Sequence, residues 1–382
     1  MHTSARRTGI AALSLTAALG SVGASGIASP ASADGHDHHD QGVVFVQTDD
    51  PAGNTVVAYD RAADGTLTEA GHYPTGGLGG VLQGSVVDHL ASQGSLTLDR
   101  DHHTLYAVNA GSDTLTAFRV AGDRLRRRAV VPSGGTFPVS VTVHRNLVYV
   151  LNARAGGSVQ GFRRTGRGLV PITGSNRALG LDPTATPEFV NTPGQVSFSP
   201  DGSQLLVSTK ANGNDVDVFG VRRSGSLSAA PTVNDLAGTV PFAMSWDRGG
   251  RLVLAEAGTN AVATFGVDDG GHLRALATAA TGQAATCWIV RSGDRFYASN
   301  AGSATLSGYR VDAFGRLSAL GTTATDPGTV DATVTPDGKY LYVQAGATGQ
   351  VDAYRIHRDG TLAFLGSVTV PNAVGGEGIA SR

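Results

Sequence analysis

The stretch "LVLAEAGTNAVATF" at Leu252–Phe265 recurs along the chain in recognisable copies. Residues 105–118 read "LYAVNAGSDTLTAF", and residues 296–309 read "FYASNAGSATLSGY". Each copy contains an apolar run, a short polar loop and a second apolar run that ends in an aromatic residue, a pattern typical of paired β-strands. One loop position is asparagine in the other two copies but Glu256 in this one. We therefore ask what the repeat builds and why one copy carries a carboxylate.

The repeat occurs seven times, and most copies lie about 45 residues apart. Tight-turn sequences such as "SPDG" at 199–202 and "TPDG" at 335–338 close hairpins inside the units. Four short strands per repeat of this length are typical of a β-propeller blade. We predict an all-β fold, a seven-bladed β-propeller over residues 42–382. The first copy lacks an innermost strand, so we predict that "GGEGIAS" at 375–381 supplies it and closes the ring. The aromatic residues that anchor the seven copies are Tyr59, Phe118, Phe162, Phe219, Phe265, Tyr309 and Tyr354.

Two long intervals between copies contain insertions, at residues 78–92 and 176–192. The first is rich in glycine and the second in proline and threonine, and we predict that both form surface loops.

The N-terminal part has the features of a targeting segment. Arg6 and Arg7 precede a short apolar run at 10–24, and small residues at 31–33 form a cleavage signature. We predict a signal peptide at residues 1–33, a His/Asp-rich flexible tail at 34–41 and a secreted protein. No apolar run is long enough for a membrane span.

The tail sequence "DGHDHHD" allows two interpretations. Its interleaved histidines and aspartates suit a transition metal, but chain ends are usually solvated appendages. We expect no metal in the active site.

Composition excludes several classes of function. The net charge is −2, which does not suggest nucleic-acid binding, because that function requires a basic stripe. Cys287 is the only cysteine, so an internal disulfide cannot form, and its apolar neighbours indicate an inert thiol. No phosphate-cradling glycine loop precedes a helix. We therefore expect a monomer without a cofactor, a nucleic-acid partner or a membrane partner.

Propeller topology predicts which residues meet at one mouth of the central channel. The loop between strands two and three of a blade returns to the face where the innermost strand begins. His89 is the one histidine that we expect to reach this face. The loop positions are Asn109, Asn152, Lys210, Glu256, Asn300 and Gln344. The innermost strands begin at Gln93, Phe137, Gln195, Phe242, Trp288, Asp331 and Glu377.

Asparagine suits such a loop because its amide can bind the local backbone, so we interpret Asn109 and Asn300 as structural. The neighbouring fourth and fifth blades carry Lys210 and Glu256 instead. One interpretation is a salt bridge that replaces the amide contacts. The other is part of an acid–base site, because ionisable groups cluster in concave catalytic sites.

The phrases "VSFSPDGSQLLVS" at 196–208, "VTPDGKYLYVQ" at 334–344 and "GSxxLxGYRVDxxGxL" from 302 resemble the lactonase family of seven-bladed propellers. That family contains bacterial 6-phosphogluconolactonases and fungal carboxymuconate cyclases. The resemblance covers nearly all of residues 42–382, and Glu256 matches an Asn-Glu pair that family members often carry. Where members tend to have His and Arg at the innermost strands, this chain has Gln195 and Phe242. The cations that would hold a phosphate are absent there, so the resemblance does not extend to phosphorylated sugar lactones.

Two functional hypotheses follow. In the first, which the resemblance favours, the protein is an exported lactone hydrolase or isomerase. Glu256 or Glu377 is the general base, Lys210 stabilises the oxyanion and His89 is a second proton carrier. In the second, the propeller is not an enzyme, and its mouth binds a small ligand or a protein segment. The predicted ligand-binding residues are Gln93, Gln195, Phe242, Trp288 and Asp331.

Overall fold

The computed structural model describes residues 42–382 except residue 167. The predicted signal peptide and the His/Asp-rich tail lie outside the described residues. Seven antiparallel sheets, each built on four strands, follow one another along the described chain. The third sheet has a short additional strand. The prediction of a seven-bladed β-propeller is confirmed.

The first four blades contain the following strands. Blade 1 is formed by β1 (Gly42–Gln47), β2 (Thr55–Arg61), β3 (Leu67–Pro74) and the last strand of the chain, β29 (Ile379–Ser381). Blade 2 is formed by β4 (Leu96–Asp99), β5 (Thr104–Asn109), β6 (Thr114–Ala121) and β7 (Arg124–Pro132). Blade 3 is formed by β8 (Pro138–His144), β9 (Leu147–Asn152), β10 (Ser158–Thr165), β11 (Gly168–Pro171) and β12 (Arg177–Ala178). Blade 4 is formed by β13 (Gln195–Phe198), β14 (Gln204–Ser208), β15 (Asp215–Gly220) and β16 (Thr232–Asp235).

The remaining three blades have the same arrangement. Blade 5 is formed by β17 (Pro241–Trp246), β18 (Leu252–Glu256), β19 (Ala261–Val267) and β20 (Leu273–Ala280). Blade 6 is formed by β21 (Thr286–Ser292), β22 (Arg295–Asn300), β23 (Thr305–Val311) and β24 (Leu317–Ala324). Blade 7 is formed by β25 (Thr329–Val334), β26 (Tyr340–Ala345), β27 (Gln350–Ile356) and β28 (Leu362–Thr369).

Helical structure is limited to single turns. These are a 3₁₀ turn at Ala110–Ser112 and the helices α1 (Glu188–Asn191) and α2 (Lys210–Gly213). Within residues 42–382, no helix is long and apolar enough to cross a membrane.

The C-terminal strand closes the ring as predicted. β29 pairs antiparallel with β1, with Ser381 opposite Val44 and Ile379 opposite Val46. Arg382 N donates to Val43 O at 2.8 Å and extends the pairing. The innermost strands contact one another in the order β29, β4, β8, β13, β17, β21, β25 and back to β29. The first blade therefore consists of both ends of the described chain, and no inner edge stays open.

The blades are joined by apolar packing and by a repeated tyrosine contact. The middle strands are almost fully buried, whereas the outermost strands alternate between half-buried and exposed residues. The Tyr297 hydroxyl donates to Gly360 O at 2.9 Å in the next blade, and Tyr342 donates to Gly65 O at 2.8 Å. Both glycines have a φ of 96°, in the left-handed region that glycine adopts without strain. The glycine turns thus accept a hydrogen bond from the neighbouring blade.

The prediction that the first insertion is a surface loop is wrong for its second half. Leu90 and Ser92 are fully buried, because this part of the chain crosses the mouth of the channel. Trp288 Nε1 donates to Ser92 O, and the Gln93 amide bonds both Ile289 N and Ile289 O at 2.9 and 3.1 Å. These contacts join blade 2 to blade 6, which lies three positions away in the ring. We call residues 87–93 the plug.

The second insertion lies over blades 3 and 4. Residues 182–191 are exposed or half-buried, in agreement with the predicted surface loop. The segment contains α1 and ends at the buried Thr192. We call residues 182–192 the lid.

Candidate active site

The asparagines of the repeated loop are structural, as the sequence indicates. Asn300 Nδ2 donates to Thr305 Oγ1 at 3.1 Å and to Ser307 Oγ at 2.9 Å. Asn109 makes equivalent bonds in blade 2. Both amides are fully buried, so each fixes its loop to the adjacent strand.

Glu256 occupies the same position in blade 5, but its hydroxyl partners are missing. The residues at the positions equivalent to Thr305 and Ser307 are Ala261 and Ala263. Glu256 Oε2 instead accepts from Thr259 Oγ1 at 3.0 Å, within its own loop. The side chain is only 4% exposed, and burial raises its pKa. The carboxylate thus replaces the amide in the copy whose adjacent strand has alanines in place of the hydroxyl residues. Its hydrogen-bond partner is Thr259 and not Lys210.

We expect Glu256→Asn to change the free energy of unfolding by at most about 1 kcal/mol, because one loop hydrogen bond is exchanged for another. Adding Ala261→Thr and Ala263→Ser should then raise the melting temperature, because it restores the contacts of blade 6. Thermal unfolding checks both. A large loss of stability in the single variant would show that Glu256 braces the blade, and a roughly 100-fold loss of lactone turnover with unchanged stability would make it a general base.

Lys210 is not equivalent to Glu256, contrary to the sequence alignment. In blade 4 the loop is one residue longer, and Thr209 ends the strand pairing by donating its N–H to Asp215 O at 3.2 Å. Lys210 follows in the left-handed region, with a φ of 54°. Alignment on the aromatic residues misses this extra residue. Lys210 therefore lies beyond the strand end, and its ammonium group donates to Ala91, Phe189 and Thr192 and not to Glu256.

The Lys210 ammonium group is buried beneath both insertions. Nζ donates to Ala91 O and Phe189 O, both at 2.6 Å, and to Thr192 Oγ1 at 3.1 Å. It also lies 5.3 Å from the centre of the Phe242 ring. Burial lowers the pKa of Lys210 to about 8, so the amine is mostly protonated at neutral pH. One cation therefore joins the plug, the lid and blade 4.

Glu377 lies beside Lys210, and its carboxyl group contacts that of Asp88 in the plug. Both Glu377 oxygens also accept from Ser92, one of them from the backbone N–H at 3.2 Å. Asp88 Oδ2 is buried and has no hydrogen-bond donor among the described residues. Two carboxyl groups bond to each other only when one of them keeps a proton. The pair therefore holds a shared proton inside the mouth.

The two members of this pair differ in acidity. Burial raises the pKa of Asp88 to about 6. Burial, with Asp88 and Asp49 close by, raises the pKa of Glu377 well above its ordinary value. At neutral pH the proton therefore resides on Glu377, and Asp88 carries the negative charge near Lys210.

Two further carboxyl groups surround this pair. Asp49 Oδ2 accepts from the Glu377 backbone N–H at 2.8 Å, and Asp331 accepts from Ala332 N at 2.9 Å. Burial raises the pKa of each to about 7. Among the residues described, no group of three or more His, Cys, Asp or Glu side chains is arranged to hold a metal ion.

The other residues predicted from the sequence lie on the expected face. The half-buried His89 ring has Nδ1 3.4 Å from Asp49 O, and burial lowers its pKa. Phe242 and Trp288 pack against each other with ring centres 4.9 Å apart. Gln195 Oε1 accepts from Met244 N at 2.5 Å. The polar groups of Gln93, Gln195 and Trp288 therefore bond the main chain of other blades, and their role in ligand binding stays a prediction.

Sequence reasoning missed Asp88, Asp49 and Ser92. Asp88 lies in "VVDHLA", where apolar residues surround an acidic one, which is a signal of burial that the glycine-rich context conceals. Asp49 has a φ of 52°, so it resembles an ordinary turn residue in the sequence.

A cleft of about 40 Å³ approaches this cluster from the outside, between blade 3 and the lid. Its lining includes the buried Thr192, whose hydroxyl binds Lys210. Arg154 and Glu188 close it by a double hydrogen bond of 2.6 and 3.1 Å. A cleft of this size admits water but no larger molecule.

We expect the protein to be more stable at pH 5 than at pH 8. Asp49, Asp88 and Asp331 have pKa values raised to between about 6 and 7 in the folded protein, against about 4 when unfolded. The stabilisation of the folded state that these raised pKa values provide is complete below pH 4. It is lost as the pH rises through 6 and 7, where the buried carboxyl groups ionise. The half-buried His89 acts in the opposite direction, because burial lowers its pKa, but it is one group against three. Lys210 has a pKa of about 8, so it stays mostly protonated over this range. The free-energy cost of burying its charge is therefore nearly constant.

The melting temperature should therefore fall by at least about 5 °C between pH 5 and pH 8, and thermal unfolding measures this. A melting temperature that is constant or rises with pH would contradict the buried carboxyl cluster.

The comparisons with known proteins agree with this architecture. The family model described as "Lactonase, 7-bladed beta-propeller" matches residues 38–176. No curated protein is significantly similar in sequence.

Several solved structures share the fold at low sequence identity. A Bacteroides fragilis protein described as a candidate 6-phosphogluconolactonase has 19% identity and a TM-score of 0.71, covering 93% of this chain and 100% of its own. The Pseudomonas aeruginosa periplasmic gluconolactonase has 18% identity and a TM-score of 0.71, covering 90% and 99%. A Lactobacillus plantarum protein has 21% identity and a TM-score of 0.71, with the same coverage. In its seven-bladed ring and in the family-model match over residues 38–176, this chain is similar to the lactonase family of β-propellers.

Proposed function

We propose that this protein is an exported enzyme that hydrolyses or isomerises a small lactone at the channel mouth. The observation that carries the proposal is the convergence of Asp88, Glu377 and Lys210, which come from the plug, blade 1 and blade 4. Buried titratable groups with perturbed pKa values in mutual contact are typical of acid–base sites. The sequence indicated Glu377 as a candidate general base and Lys210 as the oxyanion-stabilising group. We now propose Asp88 as the base and Glu377 as the proton donor.

The roles follow from the protonation states. Asp88 is ionised at neutral pH and acts as the general base toward water. Glu377 keeps its proton and donates it to the ring oxygen that leaves when the lactone opens. Lys210 stabilises the negative charge that develops on the carbonyl oxygen. His89, on the same face, is a second proton carrier.

Lys210 reaches a substrate only when the lid moves. All three of its N–H groups are occupied, two of them by Phe189 and Thr192 of the lid. The lid is mostly exposed and is fastened by polar contacts such as Arg154–Glu188, so local opening requires little free energy. The plug is buried or half-buried and is held to blade 6 by the hydrogen bonds of Ser92 and Gln93, so Asp88 stays beside Glu377 when the lid opens. The substrate carbonyl then takes the place of Phe189 O.

The charge of the mouth favours a neutral lactone. Asp49, Asp88, Asp331 and Glu377 surround a single cation, Lys210, so a phosphate group would meet more negative than positive charge. We propose a sugar lactone without phosphate, the class to which the name of the Pseudomonas aeruginosa gluconolactonase refers. The periplasmic location of that protein and the leader-like residues 1–33 support export.

A panel of aliphatic, aromatic-acid and sugar lactones tests the proposal with the wild-type protein. We expect turnover of a neutral sugar lactone and at least about tenfold lower kcat/KM for its phosphorylated form. Arg154→Met should raise kcat/KM several-fold, because it releases Glu188 and the lid. No turnover of any lactone would overturn the proposal. An unchanged kcat/KM in Arg154→Met would show that the lid does not limit access.

A second candidate is a non-catalytic propeller that binds a small ligand or a protein segment. It is favoured by the hydrogen bonds that Gln93 and Trp288 make across the mouth, which use polar groups that a catalytic site would offer to substrate. Saturable binding of a lactone without turnover would support it.

A further inference from the structure

Blade 2 carries a concentration of arginines on its outer edge. The outermost strand β7 has the sequence "RLRRRAVVP", and Arg119 lies on the adjoining strand β6. Arg119 is directly opposite Arg126, and like charges in this position destabilise a strand pair. The arginine side chains are all exposed, whereas Leu125 is buried and points into the blade.

These guanidinium groups are not neutralised within the described part of the chain. Arg119, Arg124, Arg126 and Arg128 form no ion pair there. Their side chains line a cleft of about 600 Å³ between blades 1 and 2, together with Tyr73 and a single acidic residue, Asp123. Four positive charges minus one negative charge leave a net +3 in a protein whose overall charge is −2.

Protection of an exposed sheet edge does not explain this cluster. Charged side chains on edge strands prevent edge-to-edge pairing, and every blade exposes an outer strand of this kind. The outermost strands of the other six blades contain two arginines in total, Arg177 and Arg274, and no lysine. Blade 2 therefore differs from its own repeats in a way that the fold does not require.

We propose that the cleft between blades 1 and 2 binds a short segment of an anionic polysaccharide. Its volume suits about three sugar rings, because ligand pockets of roughly 300–1,000 Å³ enclose molecules of that size. Arg124 and Arg126 lie two residues apart, so their side chains project from the same face of the strand, roughly 7 Å apart. The register shifts after Arg127, and Arg128 also lines the cleft. The result is a row of guanidinium groups, which bind carboxylate, sulfate or phosphate groups through paired N–H donors.

Tyr73 indicates a sugar rather than a nucleic acid. It provides one aromatic surface in the cleft, sufficient for one sugar ring. Proteins that bind single-stranded nucleic acid stack successive bases on several aromatic side chains. No second aromatic residue lines this cleft. The proposal is independent of the lactone reaction, because the cleft lies on the outer rim and the proposed active site lies at the central channel.

Binding titrations with the full chain test this proposal. The probes are a heparin octasaccharide, an octagalacturonate and an eight-nucleotide oligothymidylate, each at about 50 and about 200 mM salt. We expect at least one oligosaccharide to bind more tightly than the oligonucleotide, with affinity falling at the higher salt. The triple variant Arg124→Gln, Arg126→Gln, Arg128→Gln should weaken that binding at least about tenfold. Tyr73→Leu should weaken it while leaving the salt dependence unchanged.

A matched control removes three exposed arginines elsewhere, as Arg223→Gln, Arg316→Gln and Arg358→Gln, with the same change in net charge. Equal losses of binding affinity in the two triple variants would show that the effect depends on net charge alone, and this would overturn the proposal. Tighter binding of the oligonucleotide would indicate a nucleic-acid site instead. No binding of any probe at low salt would also refute the proposal.

Discussion

Asp88→Asn should lower kcat for lactone hydrolysis by about a thousandfold without lowering the melting temperature at pH 8. Asp88 Oδ2 has no hydrogen-bond donor among the described residues, and the Asp88 carboxyl group contacts that of Glu377. The other carboxylate oxygen is oriented by backbone N–H groups, including that of Ala91. An asparagine amide fits this site because its Nδ2 can donate to Glu377 where the wild type needs a shared proton. The variant therefore gains a hydrogen bond and loses the base.

Steady-state kinetics and thermal unfolding of the same preparation measure both effects. Asp101→Asn, an exposed aspartate on a hairpin of the opposite face, is the matched control and should change neither quantity. The drop in melting temperature between pH 5 and pH 8 should also become smaller in Asp88→Asn. Full activity in this variant would remove Asp88 from the mechanism.

Deleting residues 375–382 should abolish cooperative unfolding or make the protein insoluble. The deletion removes β29, whose residues are all buried and paired with β1. It also removes the neighbour of β4 and of β25, so the ring loses its closure and exposes unpaired strand edges. Circular dichroism and light scattering during heating measure the outcome.

Gly378→Ala is a useful comparison because it keeps the strand but places a methyl group in the crowded left-handed turn before it. Gly378 has a φ of 100°, and its Cβ would lie 2.3 Å from Ser95 Oγ. We expect an intermediate loss of stability. If the truncated protein melts within about 2 °C of the parent, the ring does not depend on C-terminal closure.

The fold could be predicted from the sequence because the repeat carries it redundantly. Seven copies each contain a hydrophobic alternation and a glycine turn, so an error in one copy leaves the count unchanged. The closing strand was also predictable, because the first copy lacks an inner strand and residues 375–381 are left without another role.

The candidate active site was predictable only in part. Glu377 and Lys210 were assigned to the correct face by topology alone, since a loop position determines the end of the blade on which it lies. The alignment of Lys210 with Glu256 was wrong, because one added loop residue changes the backbone from strand to a left-handed turn. Sequence spacing does not show such an insertion when the aromatic anchors keep their distance.

The role of the first insertion could not be predicted, because its burial comes from long-range contacts. Asp88 meets Glu377 across 289 positions in the chain, counted as 377 − 88. No local pattern records that pairing. The glycines that suggested a surface loop instead let the backbone pass close to other blades, as at Gly80, where a Cβ would meet Phe137.

The pH dependence of kcat/KM for a lactone substrate tests the acid–base centre most directly. The account predicts a bell-shaped profile, with an acidic limb near pH 6 as Asp88 loses its proton and an alkaline limb near pH 8 as Lys210 loses its charge. Because Asp88 and Glu377 interact, the acidic limb belongs to the pair as a whole. A profile that is flat between pH 5 and pH 9, or one unaltered in Asp88→Asn, would contradict it.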